Sequence, residues 1–243
     1  AHMFEPLEFK AHKRELGEAP AAFVAAAPTA SAAPTASEPA HELLLHDEQL
    51  DAWLEKLAAA ERLAVYPTSV GADPMQAQLV GIALALESGE SAYVPLAHRH
   101  PGAQEQLDCS RALERLKPWL EDRTRAKVVH DAKFAMHLFA NHGLALAGAL
   151  DDTLLQSYVL ESHRNHELAS LAERHLNRTL ASHEALVGKG VGRIGFDEVD
   201  IAGAGAYAAQ AAPVIFALHR ALSPGIAADP RLSYIYGSIE IPV

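Results

Sequence analysis

Lys127-Val128-Val129-His130-Asp131-Ala132-Lys133-Phe134-Ala135 is the stretch on which the fold turns. Its opening residues make a short, β-branched apolar run of the kind buried in a sheet. Asp131 stands where a helix N-cap is expected, and Phe134, Leu138 and Phe139 fall on one face of the helix that would follow. A buried strand leading into an amphipathic helix is a building unit of α/β architecture.

Upstream, RLAVYPTS (62–69), AQLVGIALALES (77–88) and SAYVPLAH (91–98) read as three strands, the last two joined by a Glu87-Ser88-Gly89-Glu90 turn. That order implies an antiparallel meander. Before it, Asp47 reads as an acidic N-cap for a helix carrying Leu50, Trp53, Leu54 and Leu57 at i, i+3, i+4, i+7 spacing. After it, Leu107, Leu113, Leu116 and Leu120 form a second helical stripe that Pro118 should kink or end. Downstream, Asp151-Asp152 precede Leu154, Leu155, Tyr158 and Val159, Glu167 precedes Leu168, Leu171 and Leu176, and residues 198–222 carry a long final helix. A meander followed by strand–helix alternation predicts a mixed sheet covered by helices.

The chain has 243 residues and a formal charge of −11, so its long-range field repels nucleic acid. Any DNA contact must be local or supplied by a neighbouring domain. The single Cys109 excludes an internal disulfide and a cysteine zinc site, and fits a reducing cytoplasm. No run is expected to reach the roughly 18 apolar residues of a membrane span. Ala1-His2-Met3 reads as a cloning remnant, and residues 19–40, rich in Ala, Pro, Ser and Thr, as a disordered linker, so residues 1–42 are set apart from the fold.

Three apparent motifs have plainer readings. Gly190-Val191-Gly192-Arg193-Ile194-Gly195 spells G-x-G-x-x-G, but residues 181–186 read as helical or irregular, not as the strand that a dinucleotide site requires. A surface loop is the expectation. Among the 14 histidines, the pairs His98/His100, His137/His142 and His163/His166 lack H-E-x-x-H spacing and are read as scattered and exposed. Asp151-Asp152 reads as a helix cap.

The segments 127–135, Asp152–Leu160 and Leu168–Arg174, taken in order, resemble the 3′ to 5′ proofreading exonuclease domain of bacterial DNA polymerase I. The similarity extends through Gly188-Lys189-Gly190 and Gly205–Ala209, and upstream through Gln78–Gly81 and Ala92–His98, covering residues 43–230. The resemblance implies an RNase H-like (DnaQ-like exonuclease) fold with a mixed five-stranded sheet flanked by helices. Phe4–Leu16 resembles the exit from a 5′ nuclease domain, and residues 231–243 the start of a polymerase domain. Partners would be the polymerase and 5′ nuclease domains of one parent chain, with DNA reached through that parent and no membrane contact.

The family uses two divalent ions, Mg or Mn, held by four carboxylates. Hard oxygen ligands suit such ions, and only anionic ligands offset the repulsion between two dications. Carried onto this sequence, the family's Asp-x-Glu falls on Tyr66 and Thr68, its second aspartate on Ala135, and the aspartate after its tyrosine on Ala211, while Tyr207 is retained. The resemblance therefore implies a pseudo-exonuclease with no metal or other cofactor, serving as a spacer or docking surface. Pro67, which removes a backbone donor beside that site, fits the same reading. One alternative is a weak exonuclease with relocated acids at Asp73, Asp131 or Asp152. Another is a non-cleaving single-stranded DNA module using Arg99, Lys133, Lys189 and Arg193, for which the sequence shows no aromatic interleaving.

Overall fold

The computed structural model describes residues 41–242 apart from 72, 104 and 149. The expected linker and the Phe4–Leu16 segment lie outside the described residues.

Among the described residues, six strands form one sheet in the order β1-β4-β3-β2-β5-β6. They are β1 His41–Leu43, β2 Arg62–Val70, β3 Gln78–Leu86, β4 Ser91–Pro95, β5 Ala126–Val129 and β6 Leu150–Asp152. β2, β3 and β4 make the antiparallel meander, while β1, β5 and β6 pair in parallel. The sheet is mixed, as expected, but has six strands, not five. The two outermost strands are three residues long, too short for a period-2 pattern to register in sequence.

Helices α1 (Asp47–Ala59), α2 (Cys109–Leu120) and α3 (Ala132–Ala140) cover one face, and α7 (Ile201–Ala227) covers the other. Alternate residues of β3 decide which core is which: Leu79, Ile82, Leu84 and Leu86 face α1–α3, whereas Val80, Ala83 and Ala85 face α7. Small residues on that second face meet Ala204, Ala208 and Ala212 on the helix, so backbone and helix approach closely. Gly205 continues the same surface, because a Cβ there would collide with Leu43.

α4 (Thr153–Glu161) and α5 (Leu168–Leu176) pack on the outer side of α7 through Leu171, Val214, Leu218 and Leu222. Sandwiched between sheet and helices, α7 is apolar nearly all round. It is long and apolar enough to cross a membrane by length and composition, correcting the expectation that no segment is, and 61% of its most apolar window is buried inside the fold.

One local expectation changes, and the one on Pro118 agrees with the helix end. His46, not Asp47, is the N-cap of α1, which leaves Asp47 in the first turn, where its charge favours the helix dipole and meets Arg111 and Arg115. Pro118 sits in the last turn of α2, and the helix ends soon after it, at Leu120.

Candidate functional site

β2 is paired on both sides only at Leu63 and Ala64, since its register with β5 ends at Ala64–Val128. Beyond that point the strand has β3 on one side and open space on the other, and Tyr66, Pro67 and Thr68 line the opening. Pro67 is tolerated in a nominally central strand because the β5 ladder has stopped before it. A bulge between Thr68 and Ser69 then bends the strand away.

The positions singled out in the sequence converge here. Tyr66, Thr68, Ala135 and Tyr207 line a cleft of about 220 Å³, and Tyr66, Tyr207 and Ala211 line an adjoining one of about 450 Å³. Between them the Tyr66 and Tyr207 hydroxyls lie 3.3 Å apart. Burial holds both phenols above their ordinary pKa, so they are neutral donors and acceptors at physiological pH.

Thr68 is buried, and its Oγ1 lies 3.2 Å from the Gly81 carbonyl and 3.0 Å from Tyr93 Oη. The Tyr93 hydroxyl continues to His98 Nε2 at 2.9 Å, and His98 Nδ1 reaches the Val199 carbonyl at 3.0 Å. Since burial lowers the His98 pKa, the ring is neutral; it donates from Nδ1 to the carbonyl and accepts the Tyr93 proton at Nε2. Thr68 is thus the end of a buried polar chain. Ala135 and Ala211 contribute only buried methyl groups.

The carboxylates closest in sequence to the motifs are already engaged. Asp131, in the left-handed region at φ 65°, accepts the Phe134 N–H at 3.0 Å. Asp152 is buried and accepts N–H groups from Asp131, Ala132 and Leu154 at 3.1, 2.7 and 2.8 Å. Asp73 accepts from Met75 N and Gln76 Nε2. Among the described residues there is no group of three or more His, Cys, Asp or Glu placed to hold a metal ion. This donor set does not fit a pair of divalent cations, whose mutual repulsion needs several anionic ligands.

The cleft is aromatic instead. His183 stacks on Phe196 with centroids 5.9 Å apart and planes at 13°, and Phe196 and Tyr207 are 5.9 Å apart. These rings come from α6 (His183–Val187), the 3₁₀ turn Phe196–Glu198 and α7, so no sequence window shows them side by side. His130 borders both clefts; its Nδ1 is 2.9 Å from Thr153 Oγ1, and burial beside His166 lowers its pKa to about 4.

The four cations of the binding alternative separate. Arg99 pairs with buried Asp197, Lys189 pairs with Glu184 at 2.6 Å, and Lys133 is exposed on α3. Arg193 lines a third cleft, of about 460 Å³, beside Gly71 and His183.

Gly190–Gly192 forms an exposed 3₁₀ turn that follows helix α6, which agrees with reading the glycine motif as a surface connection. The histidines are less uniformly exposed than expected. His98 and His219 are buried, His142 accepts the Leu79 N–H, and His166 bonds Ser157, because each ring fills a site where a polar partner waits.

Comparison with known proteins places these features. The 3′-5′ exonuclease family matches residues 42–227. DNA polymerase I of Pseudomonas aeruginosa is 40% identical over 213 residues, covering 86% of this chain and 23% of the relative. That of Rhizobium leguminosarum is 33% identical, covering 80% of this chain and 21% of the relative. The chain therefore spans under a quarter of the length of these relatives.

In fold it is similar to a Mycobacterium smegmatis Pol1 structure in complex with DNA primer-template and dNTP (TM-score 0.62, 23% identity, covering 84% of this chain and 30% of that one). It is also similar to the catalytic core of Trypanosoma brucei RRP6 (TM-score 0.65, 15% identity, 86% and 53% covered) and to Escherichia coli RNase D (TM-score 0.59, 18% identity, 79% and 48% covered). With an RNase H-like fold, a family match across nearly all of the folded region and DNA polymerase I relatives on either side of one-third identity, the chain belongs to the 3′-5′ exonuclease family, as a domain of bacterial DNA polymerase I.

Proposed function

We propose that this domain is catalytically silent and acts as a spacer and docking surface between the 5′ nuclease and polymerase portions of a DNA polymerase I. The observation that carries this reading is the Tyr66–Tyr207 contact across the cleft, together with Thr68, Ala135 and Ala211 where the family resemblance expects carboxylates. Two neutral phenols, a hydroxyl and two methyl groups offer no bidentate anionic ligand. Relocation to Asp73, Asp131 or Asp152 has little support, because among the described residues no three His, Cys, Asp or Glu side chains are placed to hold one ion, and each of these carboxylates already accepts N–H donors. No divalent ion is needed in this reading. DNA synthesis belongs to other parts of a cytoplasmic parent protein.

The test is to incubate the 243-residue chain with Mn²⁺ and 5′-labelled single-stranded DNA. The strand should stay full length, and calorimetric titration should show no site-specific Mn²⁺ binding. Metal-dependent shortening from the 3′ end would establish the relocated-acid exonuclease instead.

The ring cluster of His183, Phe196 and Tyr207 favours a second reading, a cleft that holds a single-stranded end without cutting it. Aromatic faces stack on bases of any sequence, at about 1–3 kcal/mol per base. Salt-dependent retention of a short oligonucleotide in EDTA, lost on Tyr207→Ala, would support it.

A further inference from the structure

Tyr236 lies in the π-helical turn Ile235–Glu240, beyond the stretch that matches the family, yet its hydroxyl reaches into the sheet. It accepts the Asp152 N–H at 2.9 Å and donates to Asp151 Oδ1 at 3.4 Å, while Gln156 Nε2 lies 3.3 Å from it. Gln156 in turn lies 2.9 Å from His219 Nδ1, and Asp151 Oδ2 lies 3.6 Å from His219 Nε2 and 4.0 Å from Arg62. One phenol from the C-terminal turn thus closes a polar cluster built by β2, β6, α4 and α7. Its neighbours Tyr234 and Ile239 are 64% and 45% exposed, so apolar burial contributes little to seating this turn.

The other side of the same dipeptide meets the Asp131 turn, which lines the smaller cleft. The Asp152 carboxylate holds the N–H groups of Asp131 and Ala132, and Asp131 occupies a left-handed conformation that only its surroundings maintain. We infer that Tyr236 is a positioning residue: by clamping the Asp151–Asp152 main chain it fixes the Asp131 turn that walls the cleft. Without the hydroxyl, the buried Asp152 N–H has no acceptor, and the main chain relaxes toward one. That movement carries with it the carboxylate on which the Asp131 turn hangs. The inference is independent of whether the cleft binds or cuts DNA.

Residue-resolved amide hydrogen exchange on the 243-residue chain tests it, comparing wild type with Tyr236→Phe and Ser233→Ala. Ser233 Oγ bonds the Ile226 carbonyl at 2.8 Å, tying down the same end of the chain without touching Asp151. Tyr236→Phe should speed exchange at Asp131 and Ala132 about three- to tenfold, as well as within 235–240, with β3 unchanged. Ser233→Ala should affect only the C-terminal turn. Acceleration confined to 235–240 in Tyr236→Phe, no acceleration, equal effects of both variants at Asp131, or a uniform rise that includes β3 would each overturn the inference.

Discussion

Tyr66 on β2 and Tyr207 on α7 meet hydroxyl to hydroxyl at 3.3 Å, with ring centroids 6.4 Å apart, and so tie the sheet to the long helix across the mouth of the cleft. The two phenols line both adjoining clefts, and burial keeps both oxygens protonated. Burial is the main cause of their raised pKa, and for Tyr66 the neighbouring phenol adds to it.

Removing either hydroxyl leaves the other without this partner. Tyr66→Phe and Tyr207→Phe should each lower stability in urea unfolding by about 0.5–1.5 kcal/mol. The double variant should lose less than the sum of the two, because the second removal costs no further bond. Strict additivity would show that the two hydroxyls do not act on each other.

Installing acids at the four positions should reverse the chemistry. Tyr66→Asp, Thr68→Glu, Ala135→Asp and Ala211→Asp together would place four carboxylates around a site where Ala135 and Ala211 are 1% and 3% exposed. Without metal the variant should lose about 3–5 kcal/mol through uncompensated buried charge. Mn²⁺ should raise its melting temperature and leave the wild type unchanged. Metal-dependent shortening of a 5′-labelled strand by the variant alone would show that the framework still accommodates the ions.

Acid should weaken the fold through His130. Its folded pKa of about 4 lies below the ordinary 6.5, so between those values the unfolded chain binds the proton and the folded one does not. The stability it contributes is complete above pH 6.5 and is lost as pH falls through 4. Integrated over the window the loss is about 3 kcal/mol. Urea unfolding from pH 7 to 4 should show a shallower decline in His130→Gln than in wild type.

Lys127 acts at the opposite end of the scale. Its side chain is fully buried, with Nζ bonded to the Asp122 and Arg125 carbonyls and 4.7 Å above the Trp119 ring. Desolvation lowers its pKa from 10.5 to about 8. The unfolded chain therefore binds more protons between pH 8 and 10.5, and the contribution of Lys127 to stability rises with pH across that window. The stability difference between wild type and Lys127→Met should move in favour of wild type by about 3 kcal/mol from pH 8 to 10.5. A pH-independent difference would mean that the ammonium is adequately solvated by its carbonyls.

Much of this architecture is legible residue by residue. The unbroken apolar run Leu79–Leu86 reads as a buried strand, and the stripe of Leu50, Trp53 and Leu57 declares a helix, because both patterns are written locally. The outer strands β1 and β6 were not legible, since three residues carry no period and their pairing depends on neighbours far away in sequence. Asp131 is legible as a cap, but its left-handed backbone is not, because that conformation is sustained by Asp152 from another strand.

Sequence alone determined the fold class and which chemical groups stand at Tyr66, Thr68, Ala135 and Ala211, because side-chain identity and hydrophobic period are written locally. Tertiary structure decided that these positions line two adjoining clefts that meet at Tyr66, that Tyr66 closes on Tyr207, that His183 and Phe196 stack there, and that the nearby aspartates already accept N–H donors. Each of those facts is a meeting of groups from separate elements. Such meetings are set by strand register, by the small-residue contact that seats α7 on the sheet and by the point at which the β5 ladder ends, all of which are products of packing.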